Sequence, residues 1–192
     1  MDFTESEVFA FYDRQVKVIY ADIEARNNLL PLELLLEIHA AFDHLRRFHV
    51  DGEPENKCAE KAYSHLKRGA LDAFKLKLKW HNCDYECLRR KRGLQLIDSG
   101  KFLPALLARR NEIIAAGKAA RLSEAQGDAD AAFSKWYEVS NLIDEFEHKF
   151  TGDRSKFDWA QKQSLFRLII NNFFIGVLTG VIGSIIVQYL ST

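Results

Sequence analysis

The sequence holds little that would break or staple a chain: three prolines, ten glycines and three cysteines in 192 residues. Three cysteines are too few, and odd in number, for the disulfide framework of a small secreted domain. Cys58, Cys83 and Cys87 are therefore expected as free thiols on the cytosolic side. Alternation of period two, the mark of a half-buried strand, is nearly absent. Only Lys75-Leu76-Lys77-Leu78-Lys79-Trp80 shows it, between flanks of helical periodicity. The start, Met1-Asp2-Phe3-Thr4-Glu5, lacks the basic and apolar regions of a secretory signal. No phosphate-cradling glycine loop, serine elbow or paired-carboxylate motif is present, and no cofactor is expected. Net charge is lacking too: 27 basic side chains cancel 27 acidic ones, so total charge gives no argument for nucleic acid or anionic lipid.

The charge is unevenly spread. Residues 1–56 carry five basic and twelve acidic side chains, and residues 57–92 carry eleven basic and four acidic. At the other end, no charge interrupts Leu168 to Thr192. Residues 168–190 as a helix would be about 34 Å long at 1.5 Å per residue, enough to cross a hydrocarbon core of about 30 Å. Arg154, Lys156, Lys162 and Arg167 precede this stretch and nothing charged follows it, which predicts a single-pass protein with a cytoplasmic N-terminal domain. A bacterial inner membrane is favoured, although the same physics would serve a eukaryotic tail anchor. Trp159 and Phe166 before the span, and Tyr189 near its far end, suit the two interfaces. Within the span, Asn172, Gly176, Gly180 and Ser184 recur every four residues, with Thr179 and Gly183 on the same side. Small residues at this spacing let two helix backbones approach closely, so the stripe is a candidate for self-association or for lining a lumen.

The rest reads as all-α: a cytoplasmic bundle of about five helices over residues 1–153, a basic juxtamembrane linker over 154–167, and the transmembrane helix over 168–190. Thr4-x-x-Glu7 predicts a capping box opening a first helix that reaches about Arg26. Pro31 suits the first position of a second, ending near Val50, and Asp51-Gly52-Glu53-Pro54 marks a break. A third helix follows, whose passage beyond the Lys-rich stretch toward Ile97 is left open. Asp98-Ser99-Gly100 interrupts the chain before a fourth from Pro104, and Gly127-Asp128 separates that from a fifth.

Three constellations invite chemistry. Lys75, Lys77, Lys79, Arg89, Arg90, Lys91 and Arg92, with Trp80 and Tyr85 among them, form the densest basic segment. Cations interleaved with aromatics suit RNA or a nucleotide messenger. The same cations could instead pair with the acidic first helices, contact a protein partner or meet anionic headgroups. His39, His44 and His49 are spaced by five, which turns each about 140° from the last, so no simple metal site follows. His44, His49 and Arg46 are kept as weak catalytic candidates. His81-x-Cys83-x-x-x-Cys87 lacks a fourth ligand and the paired spacing of a zinc site, and no metal is expected.

The stretches Ile23–Pro31 and Ala41–His49 resemble the helical regions of divergent HEPN domains and of the membrane-bound accessory proteins of Cas13-type CRISPR systems. The resemblance covers about a quarter of the chain, and the Arg followed four to six residues later by His of HEPN ribonucleases has no counterpart. It implies an oligomeric membrane effector of antiviral defence rather than a nuclease, and the Asn/Gly/Ser stripe together with the lack of a convincing catalytic set makes the leading expectation an effector that perturbs or permeabilises the bilayer. A membrane-tethered adaptor without a pore, and a HEPN-like RNA-binding protein, are the alternatives.

Overall fold

The structure, a computed structural model, describes residues 4–190; Asn27 and residues 185–187, 189 and 190 are described by backbone alone. The expected positions of the Tyr189 ring and the uncharged Ser191-Thr192 end lie outside what is described. The fold is all-α: seven helices and no strand among the described residues. The alternating Lys75–Trp80 segment lies inside a helix, as its flanks implied.

Helix α1 (Glu5–Phe11) opens on the expected box: the Thr4 hydroxyl accepts from the Glu7 amide and the Glu7 carboxylate accepts from the Thr4 amide at 2.9 Å. It passes through one π-helical turn, Tyr12–Val16, into α2 (Lys17–Asn27) without leaving helical dihedrals. The sequence explains that turn. Val8 and Phe11 pack inward, Val16, Ile19 and Ile23 are buried, and the five-residue step from Phe11 to Val16 is one that a wider, i to i+5 turn keeps on a single face. Asn28 closes α2 in the left-handed region at φ 49°. Pro31 occupies the cap of α3 (Leu32–Asp51) rather than its first turn. After the Gly52 break comes α4 (Glu55–Arg89), which stops short of Ile97 because Gly93 adopts φ 84° and a 3-10 segment (Leu94–Gly100) follows. Helix α5 (Phe102–Ala125), α6 (Ala129–Phe150) and α7 (Arg154–Leu190) complete the chain. Residues 154–167, expected as a linker, are the first turns of α7.

The chain groups into two compact units. The first comprises residues up to Asp84 together with Asn111–Glu145. Its core runs along α4, where Ala59, Ala62, Ala70 and Ala73 are buried and their small size lets neighbouring helices close in. At Gly69 a Cβ would stand 2.8 Å from the Leu34 side chain, so α3 and α4 touch there by glycine's lack of one. Ile143, Val139 and Trp136 of α6 are fully buried in the same unit, and the Trp136 indole donates to Glu124 at 3.3 Å.

The second unit comprises Tyr85–Arg110 and the chain from Phe146 onward. Its core is aromatic: Phe102 meets Phe150 at 5.5 Å and Phe157 at 5.7 Å between ring centroids, both edge-on, and Phe146 meets Phe150 at 5.0 Å. Edge-on pairs set the positive rim of one ring against the negative face of the other. They hold the foot of α7 to α5 and α6.

Removing the Ile143 side chain beyond Cβ should cost about 2–5 kcal/mol in denaturant unfolding of the detergent-solubilised chain. Val18→Ala, at an exposed position, should stay within about 0.5 kcal/mol.

Candidate functional site

The site with the clearest physical demand is α7. The window from Arg154 to Ser184 is long and apolar enough to cross a membrane, and none of its most apolar 18-residue window is buried. Only the foot is covered: Phe157 and Ala160 are buried, whereas from Gln161 to Ser184 no side chain is. Gly93 receives this foot. A Cβ there would lie 2.3 Å from the Ala160 carbonyl oxygen, and the positive φ of Gly93 independently disfavours any other residue. The Lys91 ammonium sits 4.5 Å from the Phe157 ring centre and the Lys156 ammonium 3.7 Å from an Asp98 carboxylate oxygen.

Along the exposed part, Asn172, Gly176, Thr179, Gly180, Gly183 and Ser184 are all solvent-facing. No described atom comes within 4 Å of a Cβ built on Gly176, Gly180 or Gly183, so the groove over these glycines is open. The hydroxyls beside it are satisfied within the helix: Thr179 donates to the Ile175 carbonyl at 2.9 Å and Ser184 to that of Gly180 at 2.9 Å. They can therefore enter lipid without an unsatisfied donor.

The basic segment divides. In the first unit Lys77 is 3% exposed, donates to the Ser140 hydroxyl at 2.9 Å and to both Asp144 oxygens at 2.8 Å, and pairs with Asp22 at 2.9 Å. Arg26 bridges the same two carboxylates at 2.6 Å each. The result is a four-charge network joining α2, α4 and α6. Lys75 pairs with Asp72 at 3.1 Å and with Glu124; burial opposes its charge, yet these carboxylates hold its pKa above the ordinary value. Lys79 is exposed, on the rim of a cleft of about 580 Å³ that Arg121 and Leu76 also line. In the second unit Arg89 pairs with Glu86 at 2.6 Å, while Arg90, Lys91 and Arg92 are exposed. Two of the seven cations, Lys75 and Lys77, are thus engaged in holding helices together.

The weak catalytic candidates do not converge. Arg46 is held by Asp43 and Asp51 at 3.2 Å, and His49 meets the Glu5 carboxylate at 2.9 Å. His44 instead stacks on His65 at 5.2 Å, and His65 contacts Glu37 at 2.5 Å, with Arg68 3.3 Å from the same carboxylate. Sequence reasoning missed His65, whose only signal is that it falls on the same α4 face as the buried Ala62 and Leu66. Burial, then the neighbouring His65, Arg47 and Lys61, hold the His44 imidazole below its ordinary pKa of 6.5 against the pull of Asp43. The expected absence of a metal site concerned His81, Cys83 and Cys87: His81 is buried and both cysteines are exposed. No cluster of three metal-ligating side chains occurs among the described residues. Comparison with protein-family models, curated proteins and solved structures gave no match.

Lys77→Ala should cost about 1–3 kcal/mol at neutral pH, because it empties the space of a buried side chain and leaves Arg26 alone to offset the partly exposed Asp22 and Asp144. Burial raises the Asp22 pKa, but Lys77 and Arg26 outweigh it and hold the group below 3.8. That contribution is full above 3.8 and lost as pH falls through the lower folded value, so the gap between parent and variant should narrow below pH 3.8 in thermal melts. His44 acts in the same direction on acidification, but in a higher pH range. Below pH 6.5 the unfolded chain takes the proton first, so stability should fall between pH 7 and 5, and His44→Gln should flatten that slope.

Proposed function

We propose that this chain is a single-pass membrane protein whose helical N-terminal portion lies on the cytoplasmic side of a bacterial inner membrane, and whose α7 associates with copies of itself so that the assembled helices perturb or permeabilise the bilayer. The observation that carries the reading is α7 itself: an apolar helix with a fixed foot and an uncovered shaft. In water that shaft would expose large apolar side chains such as Phe173, Phe174 and Leu178 along its length. In a bilayer it needs no cover.

Orientation rests on charge. Arg154, Lys156, Lys162 and Arg167 precede the apolar stretch, and Lys and Arg favour the cytoplasmic side. Self-association rests on the open groove over Gly176, Gly180 and Gly183, since helices in lipid pack best where small residues admit a neighbour's backbone. The four-residue repeat favours a right-handed crossing of the glycine type. A place in antiviral defence rests on the resemblance of the Ile23–Pro31 and Ala41–His49 stretches to membrane-bound accessory proteins.

A second reading has its own support. Leu29, Leu30, Leu32 and Leu36 are exposed around the start of α3, an apolar surface suited to a protein partner. In that case α7 is a tether and the first unit an adaptor.

Membrane potential in cells expressing the chain separates the two. The effector reading expects depolarisation under an activating condition, reduced at least about tenfold in rate by Gly176→Leu with Gly180→Leu, a loss equivalent to about 1.4 kcal/mol of helix association. No depolarisation in any condition, with the leucine variants behaving as the parent, rejects it. Full activity after replacement of the span by an unrelated leucine helix supports the tether.

A further inference from the structure

The two compact units differ sharply in charge. The second, which holds α7, carries twelve basic and five acidic side chains, a net of +7; the first carries the remaining fifteen basic and twenty-two acidic, a net of −7. The segregation follows the fold rather than the linear sequence, because the second unit draws on two separate stretches of chain. Within it, four consecutive cations, Arg89 to Arg92, stand immediately before the glycine that receives α7.

Their height along α7 is fixed. Gly93 packs on the Ala160 carbonyl and Lys91 on the Phe157 ring, so the basic turn lies beside residues 157–160 of the helix. From Ala160 to Leu168, where the uncharged stretch begins, is eight residues, about 12 Å of helix. The polar layer on each side of a bilayer is about 5–7 Å thick. An extended arginine side chain reaches about as far as the remaining gap, and the gap is shorter than the Debye length of about 8 Å at physiological salt. Trp159, 51% exposed on α7, and Lys162 lie at the same level.

The four cations are not equally committed. Arg89 is paired with Glu86 and Lys91 rests on Phe157, but no described residue forms a hydrogen bond, ion pair or ring contact with Arg90 or Arg92. Two exposed guanidiniums on a rigid turn, at headgroup height, in the cation-rich unit, match a phosphodiester: each can give a carboxylate- or phosphate-shaped oxygen pair two parallel hydrogen bonds. We infer that Arg90 and Arg92 form an anionic-phospholipid clamp at the base of α7, binding the headgroup phosphates of the leaflet that α7 enters. The inference rests on the membrane reading above and adds a lipid class and a binding site to it. Single-stranded RNA is the competing occupant of such a patch, but the aromatics on its side offer no stacking platform: Tyr85 and Phe157 are both buried, and the exposed Trp159 stands about 200° round α7 from Phe157, on the far face.

The test uses the full chain, reconstituted in phosphatidylcholine vesicles at physiological salt, with Cys83→Ser and a donor fluorophore on the exposed Cys87. Energy transfer is followed to trace phosphatidylglycerol or phosphatidylcholine, each labelled on its tail, as unlabelled phosphatidylglycerol is titrated in. The clamp predicts transfer to phosphatidylglycerol well above that to phosphatidylcholine, saturable and suppressed at high salt. Arg90→Gln with Arg92→Gln should weaken the apparent lipid affinity about 30-fold, from about one lost surface attraction per residue. Arg90→Lys with Arg92→Lys, which keeps the charge but loses the paired hydrogen bonds, should restore only part of it. Equal transfer to both lipids, or a preference unchanged in the glutamine variant, overturns the clamp while resistance to alkaline carbonate extraction still upholds the membrane reading. Extraction of the parent by carbonate overturns both. RNA binding that needs Arg90 and Arg92, with no lipid preference, replaces the clamp by an RNA site.

Discussion

The contact between Gly93 and Ala160 is the constraint on which the functional arrangement depends. A helix as apolar as α7 can be placed in many ways if it hangs from a flexible linker, but here its first turns are part of a folded core. Phe157 lies against Phe102 in an aromatic cluster, Ala160 lies under a glycine that tolerates no Cβ, and Lys156 meets Asp98. The foot is therefore fixed to the second unit whatever surrounds the shaft.

The first unit is held by different physics. Small residues along α4 permit close helix approach, and a buried lysine with an arginine neutralises two aspartates from α2 and α6. Buried ion pairs contribute little net stability compared with well-packed apolar groups, but a broken one is expensive, so the network selects one arrangement of α2, α4 and α6 over others. The acid and base balance of the chain thus has two origins. Some charges are structural and mutually cancelled, and others, in the second unit, are left facing outward.

Much of the fold was legible in the sequence. The capping box at Thr4, the break at Gly52, the interruption near Gly100 and the helical nature of Lys75–Trp80 all follow from local chemistry that acts within a few residues, and all are present. The membrane-crossing capacity of α7 was legible because length and apolarity decide it without tertiary information. What failed to show were properties set by neighbours distant in sequence. Lys75, Lys77 and Lys79 look alike as residues, yet one is buried in a charge network, one is half-buried in ion pairs and one is exposed. His65 drew no attention because its partners Glu37 and His44 lie on another helix. The charges of residues 154–167 suggested a linker and hid the inward spacing of Phe157 and Ala160, three apart on one helical face. That spacing was the available signal.

The account stands or falls on where the shaft of α7 resides. Spin labels placed singly at Trp159, Phe166, Phe174, Leu178 and Ile182, in a chain lacking its three cysteines and reconstituted in lipid bilayers, report access to oxygen from the lipid phase and to a water-soluble nickel complex. Oxygen access should rise and nickel access vanish from Phe174 to Ile182, with Trp159 and Phe166 reporting the polar side. Nickel access at Leu178 equal to that at Trp159 would place the helix in water and contradict the account.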